Sequence, residues 1–196
     1  GLLVSLMTRI VHVIGNGDNA PMYKPAKGIK ITCNLPPFAI EDAYATCIVD
    51  FKMMKAMNEG SVFPPGDWVL GYRPKHYLEK INPNLRLKWA NHIKEFYTVL
   101  PKYVKSYTDF NCGHMAVHYA ANKIQGDEVH LYGFDSIFDT NLRSCTDFYL
   151  ISDRSNTNNH RLVNNWRPVW AQLFNEFPKT QFVLHHSHNN IKFSIP

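Results

Sequence analysis

The segment Val11-His12-Val13-Ile14-Gly15-Asn16-Gly17-Asp18-Asn19 constrains this chain more than any other. Valine and isoleucine branch at Cβ and favour an extended backbone. The apolar run then stops at two glycines. Gly15 and Gly17 permit a sharp turn and let a ligand come close to the main chain. Asn16 between them offers an amide that both donates and accepts. A buried strand ending in such a loop fits the first strand of an α/β sheet, where ligands lie beyond the carboxyl ends of the strands. The same residues also suit a plain strand and turn, so the rest of the chain has to decide.

Read in order, the chain alternates strands and helices. Strands are expected at Arg9 to Ile14, Ile29 to Cys33, Ala45 to Val49, Trp68 to Leu70, Glu128 to Tyr132 and Gln181 to Leu184, with another at Phe148 to Ile151. Phe51 to Met57 reads as a short helix with Met53, Met54 and Met57 as core filler, and Pro74 to Ile81 as a helical turn. Trp89, Ile93, Phe96, Tyr97 and Leu100 recur at spacings of three and four, which predicts an amphipathic helix over Lys88 to Leu100 ended by Pro101. Gly113 to Ile124 is a helix whose Ala116, Ala120 and Ala121 can lie tight on a sheet. Leu162 to Phe177 is a strongly striped helix with Pro168 in its first turn. This order predicts an α/β fold, one domain with a mainly parallel sheet flanked by helices. The domain is read as spanning 1–196, with Met7 as a natural start and 1–8 a flexible or added lead.

At 196 residues, 45% apolar and 19% charged, the chain can bury a real core and is not disordered. The net charge of +5 suits an anionic partner, but no dense Lys/Arg block marks a nucleic-acid surface, which is therefore the lesser reading. Cys33, Cys47, Cys112 and Cys145 form no CxxC pair, so they read as buried free thiols of a reducing compartment, and the protein as cytoplasmic. No apolar run approaches the ~20 residues of a membrane helix. A P-loop is absent as a pattern. Gly15-Asn16-Gly17 lacks the third glycine of the dinucleotide fingerprint, and neither an Asp-x-Asp nor a G-x-S-x-G elbow is present.

Three strand ends carry polar side chains, Asn16, Asn34 and Asp135, and Asp50 follows a fourth. If these strands are parallel neighbours, the four groups line one edge of the sheet. Asparagine amides can read a base or ribose, and hold a phosphate without adding like charge. A helix starting near Asn111-Cys112-Gly113 would aim backbone N–H groups at the same cleft. Taken one at a time, Asn16 and Asn34 serve as well for turns, and Asp135 for a helix cap or turn; together they favour a nucleotide site.

Among the ten histidines, His12 lies inside a strand and reads as structural. His114 and His118 stand one helical turn apart, a spacing compatible with a metal but without the glutamate of a zinc-protease pattern. His185, His186 and His188 read as an exposed tail rather than a metal site. His160 follows a polar segment and precedes the last apolar helix. An imidazole there can serve as a general base near neutral pH, or stand as an ordinary surface residue.

The ordered set Ile14-Gly15-Asn16-Gly17, Thr32-Cys33-Asn34, Asn111-Cys112-Gly113, Gly133-Phe134-Asp135 and His160 resembles the bacterial sialyltransferases of the Campylobacter and Haemophilus lipooligosaccharide type, glycosyltransferase family 42. The family has Thr-Ser-Gly where this chain has Asn111-Cys112-Gly113. The resemblance implies a single GT-A-like (Rossmann-like) domain and inverting transfer from a CMP-sugar or related nucleotide-sugar to the hydroxyl of a glycan or other acceptor, with no cofactor and no obligatory metal. By the matching positions Asn16 and Asn34 would contact the nucleotide and Gly113 would sit in the helix-start loop near the donor; with the strand-end reading, Gly15, Gly17, Asp50, Asn111, Cys112 and Phe134 complete the expected nucleotide-binding set. Asp135 would lie on the nucleotide or sugar side, and His160 would take the acceptor proton. A catalytically silent nucleotide-binding module on the same fold is the alternative, with a nucleic-acid-associated protein behind it.

Overall fold

The computed structural model describes residues 7–137 and 162–187. Among these residues seven strands form one sheet in which every neighbouring pair is parallel: β1 (Ile10–Ile14), β2 (Ile29–Cys33), β3 (Ala43–Ile48), β4 (Asp67–Leu70), β5 (Ile93–Phe96), β6 (Glu128–Tyr132) and β7 (Gln181–His185). Their order is β5-β4-β3-β2-β1-β6-β7. The chain thus starts in the interior, walks outward to one edge, and returns to the other side of β1. β1/β6 is therefore the point where strand order reverses, and all carboxyl ends lie on one edge. The expected α/β architecture with a parallel sheet is the one observed.

Side-chain alternation splits the strands between two layers. Val11, Val13, Ile31, Cys47, Val69, Val129 and Leu131 face one side, under helices α4 (Cys112–Asn122) and α5 (Arg167–Glu176). Ala116 and Ala120 are fully buried, so α4 sits close on the sheet centre. Val169, Trp170, Leu173 and Phe174 carry the buried stripe of α5, and Pro168 falls in its first turn. On the other face, Ile48, Trp68 and Leu70 meet Met53, Met54 and Met57 of α1 (Phe51–Asn58), with Leu78, Leu85 and Trp89 beyond. Two short helices, α2 (Tyr72–His76) and α3 (Asn84–Lys88), flank a π turn at Tyr77–Ile81. Among the described residues no helix is long and apolar enough to cross a membrane.

The amphipathic helix expected over Lys88 to Leu100 is not formed. Its first residue, Lys88, ends α3, and Ile93–Phe96 is the edge strand β5. The cause is a bulge. Trp68 pairs with Ile93, but Val69 pairs with Glu95 and Leu70 with Phe96, so Lys94 is an extra residue. The bulge puts Ile93 and Phe96, three apart, on the same face against α1, while Tyr97 goes to the α4 side. A bulged strand has imitated helical spacing. His185 corrects a second expectation: it is the last residue of β7, stacked on Tyr132 with centroids 4.3 Å apart, and not part of an exposed tail. The strand expected at Phe148 to Ile151, together with Cys145, His160 and His188, lies outside the described residues.

Candidate functional site

Because β3, β2, β1 and β6 are consecutive in the sheet, the residues after them line one edge: Asp50, Asn34, Asn16 and Asp135. The structure therefore brings together the four strand ends singled out in the sequence, and shows what each group does.

The Gly15–Gly17 loop is spent largely on its neighbour. The Gly15 N–H donates to the Tyr132 carbonyl at 2.7 Å, and the Gly17 N–H to the Gly133 carbonyl at 2.9 Å. A Cβ on Gly17 would fall 2.1 Å from Asp135 Oδ2, so glycine is required by the approach of the β1 and β6 loops. Asp135 is buried, and its carboxylate accepts from the Asn19 backbone N–H at 3.0 Å and from the Asn19 side-chain amide. Asn19 in turn accepts from Ser187 Oγ at 2.9 Å. Asp135 thus latches two loops across the switch point.

Asn16 and Asn34 differ in kind. Asn16 Nδ2 donates to the Cys33 carbonyl at 2.7 Å and ties the β1 loop to the end of β2. Asn34 has φ +55°, the left-handed conformation that asparagine tolerates better than most residues. Its N–H donates to the Cys47 carbonyl at 3.0 Å. Its Oδ1 is buried and meets no hydrogen-bond donor among the described residues. A buried acceptor without a donor costs about 1–3 kcal/mol, so this atom is the one on the edge that most wants a ligand.

The start of α4 lies beside it. Asn111 caps the helix: its Oδ1 accepts from the His114 N–H at 3.0 Å, and its own N–H donates to His114 Nδ1 at 3.1 Å. The other ring nitrogen, Nε2–H, donates to the Trp166 carbonyl at 2.9 Å. His114 is fully buried, and burial holds its pKa down at about 3. His118 is held below the usual histidine value by burial, against the pull of Glu176. Tyr97 Oη donates to its Nδ1 at 2.6 Å, and its Nε2–H donates to Glu176 at 2.8 Å. Both histidines are therefore neutral struts and not a metal pair. Among the described residues, no group of three or more His, Cys, Asp or Glu is placed to hold a metal ion.

Cys112 Sγ donates to the Cys47 carbonyl at 2.9 Å. The bond to Cys33 and burial push the Cys112 thiol up, and burial does the same for Cys47. Neither is a thiolate at neutral pH, so neither is a nucleophile. Gly113 gives room to Phe134, whose ring carbon would lie 2.9 Å from a Cβ there. Phe134 is buried and meets Trp170 edge-to-face at 5.5 Å, so it packs under α4 rather than presenting a stacking face. His160 lies outside the described residues. The chain is described again from Leu162, where a π turn (Leu162–Trp166) leads into α5 and docks beside the edge: Arg167 donates to the Ser136 carbonyl at 3.0 Å, and Trp166 Nε1 to the Thr108 carbonyl at 3.0 Å.

Sequence reasoning missed the neighbouring strand end. Asp50 Oδ1 faces Arg73 Nη1 at 3.6 Å, and Arg73 borders a recess beyond β3 and β4 with Tyr72, Tyr107 and Phe110. The available signal was Gly71-Tyr72-Arg73, a glycine and two polar residues directly after a strand, much like the pattern that marked Asn16 and Asn34. Comparison with protein-family models, curated proteins and solved structures gave no match to this chain.

Proposed function

We propose that the protein is a sialyltransferase-like glycosyltransferase that moves a sugar from CMP, or a related nucleotide, to an acceptor hydroxyl. The observation that supports this reading is Asn34 Oδ1, a buried acceptor without a donor among the described residues, on the carboxyl edge next to the switch point. It can take an N–H or O–H, such as a ribose hydroxyl or the exocyclic amine of cytosine, and it repels phosphate oxygens. A nucleoside end at Asn34 would leave the phosphate toward Gly113 and the start of α4, where the helix favours negative charge.

In this reading His160, two residues before the π turn that docks beside Ser136 and Thr108, takes the proton from the acceptor hydroxyl. The acceptor oxygen forms a bond to the anomeric carbon from the face opposite CMP. The bond to the phosphate oxygen breaks, its electron pair leaves with CMP, and the configuration inverts. General-base assistance of this kind is typically worth ~10²–10⁴ in rate. The commitment of Asp135 to the Asn19 latch favours a second reading, a nucleotide-binding module without turnover. The two separate in one experiment. The transferase reading predicts donor turnover in the wild type, lost in His160→Ala with CMP affinity retained. CMP binding with no turnover against any CMP-sugar would select the silent module.

A further inference from the structure

Four of the chain's five net positive charges lie in one short stretch. Residues 72–88 hold Arg73, Lys75, Lys80, Arg86 and Lys88 against a single acid, Glu79, and the rest of the chain comes to +1. The stretch is α2, the π turn and α3, which lie over the sheet face that carries α1. No dense basic block shows in the sequence because apolar residues separate the cations, and the fold sorts the two kinds. Tyr77, Leu78 and Leu85 go inward, to the cluster of Met53, Met54 and Trp68. Lys80-Ile81 and Arg86-Leu87-Lys88 are left exposed. Glu79 faces Lys75 at 3.4 Å and Arg86 at 3.8 Å, so it holds α2, the π turn and α3 on one surface. Lys80 and Lys88 meet no acid among the described residues.

Two aliphatic side chains stand among these cations. Ile81 is 56% exposed and Leu87 83%, the most exposed large apolar residue among those described. Each is next in the chain to a lysine without an acidic partner. A nucleic acid would use the cations and would stack on aromatic rings, but it gains nothing from aliphatic tips. An anionic bilayer uses both. Its headgroups attract the cations, and aliphatic side chains enter the boundary between headgroups and acyl chains. Lysine and arginine stems lie along that boundary with the charge kept at the phosphates. We propose that this surface docks the protein peripherally on an anionic phospholipid bilayer, with Lys80, Arg86 and Lys88 at the headgroups and Ile81 and Leu87 inserted between them. The docking goes beyond the transferase reading and does not rest on it.

The test is co-sedimentation of the protein with large vesicles of phosphatidylcholine containing about one-third phosphatidylserine, beside vesicles of phosphatidylcholine alone. The anionic vesicles should bind at least about 10-fold more tightly, and binding should fall as NaCl rises from about 50 mM to about 500 mM. Reversing two charges in Lys80→Glu/Lys88→Glu should weaken it by about 10-fold or more. The same change in Lys24→Glu/Lys27→Glu, at two exposed lysines between β1 and β2, should weaken it by less than about 3-fold. Ile81→Ser/Leu87→Ser keeps every charge and should also weaken it by about 10-fold. All six positions are exposed, so circular dichroism should show each variant folded like the wild type. No binding to anionic vesicles, equal binding to both kinds, or equal loss in the two lysine pairs overturns the proposal. So does full binding by Ile81→Ser/Leu87→Ser beside loss in Lys80→Glu/Lys88→Glu. That result would mark a surface for polyanions at large, and a labelled single-stranded RNA, bound by the wild type and not by Lys80→Glu/Lys88→Glu, would then reassign it to nucleic acid.

Discussion

Replacing His114 by phenylalanine keeps an aromatic ring between Phe110 and Trp170, where the imidazole centroid lies 5.7 and 4.6 Å from theirs. It removes both ring nitrogens. The Asn111 N–H loses its acceptor and the Trp166 carbonyl loses a donor. At about 1–2 kcal/mol for each buried bond, the variant should be about 2–4 kcal/mol less stable at pH 8. The pH dependence then makes the argument specific. Burial lowers the folded pKa of His114 from 6.5 to about 3. Below pH 6.5 the unfolded chain binds a proton that the folded chain refuses until about pH 3. The stabilisation from neutral His114 is therefore complete above pH 6.5 and is lost as pH falls toward 3, at about 1.4 kcal/mol per unit. By pH 4.5 the wild type has lost about 3 kcal/mol on this account, and the phenylalanine variant none. Urea denaturation of both proteins at pH 8, 5.5 and 4.5 reads the difference directly, and the other histidines cancel. The stability gap should nearly close at pH 4.5. A gap that stays constant with pH would refute the neutral-strut account.

Gly17→Ala should lower stability by about 1–3 kcal/mol, because its Cβ would strike Asp135 Oδ2 and the Gly133 carbonyl; an unchanged melting temperature would show that the loops are not packed as described. Cys47 and Cys112 are buried thiols with raised pKa values. They should resist iodoacetamide at pH 8 in the folded protein and react once urea unfolds it, with peptide mass spectrometry reading each site. Rapid native labelling of either would place it at the surface.

Much of the architecture was legible because its signals are local. Val11–Ile14 and Ile29–Cys33 sit where their branched residues place them, and Met53, Met54 and Met57 are core as their spacing suggests. β5 was hidden because an extra residue, Lys94, shifts the register and turns a two-residue period into a three-residue one. The helix start near Asn111-Cys112-Gly113 was legible but its cap was not, since the partner three residues on is His114 rather than the usual Glu or Gln. The strand-end residues were legible as a set, but not their commitments. Asp135 meets Asn19 across 116 positions, and nothing local to either announces the pairing. The glycines of the first loop were read as room for a ligand, yet Gly17 is there for Asp135 and Gly133. Among the described residues Asn34 Oδ1 is the buried side-chain acceptor without a donor, and that is visible only once the chain is folded.

The central claim is a nucleoside held by Asn34, and calorimetric titration with CMP, beside UDP, GDP and AMP, tests it most directly. The titration is run without metal and then with Mg²⁺, on the wild type and on Asn34→Gly, which keeps the left-handed backbone and removes the acceptor. The account predicts CMP-selective binding without metal, weakened about 10-fold or more in Asn34→Gly. No binding of any nucleotide, or equal CMP binding by both proteins, would contradict it.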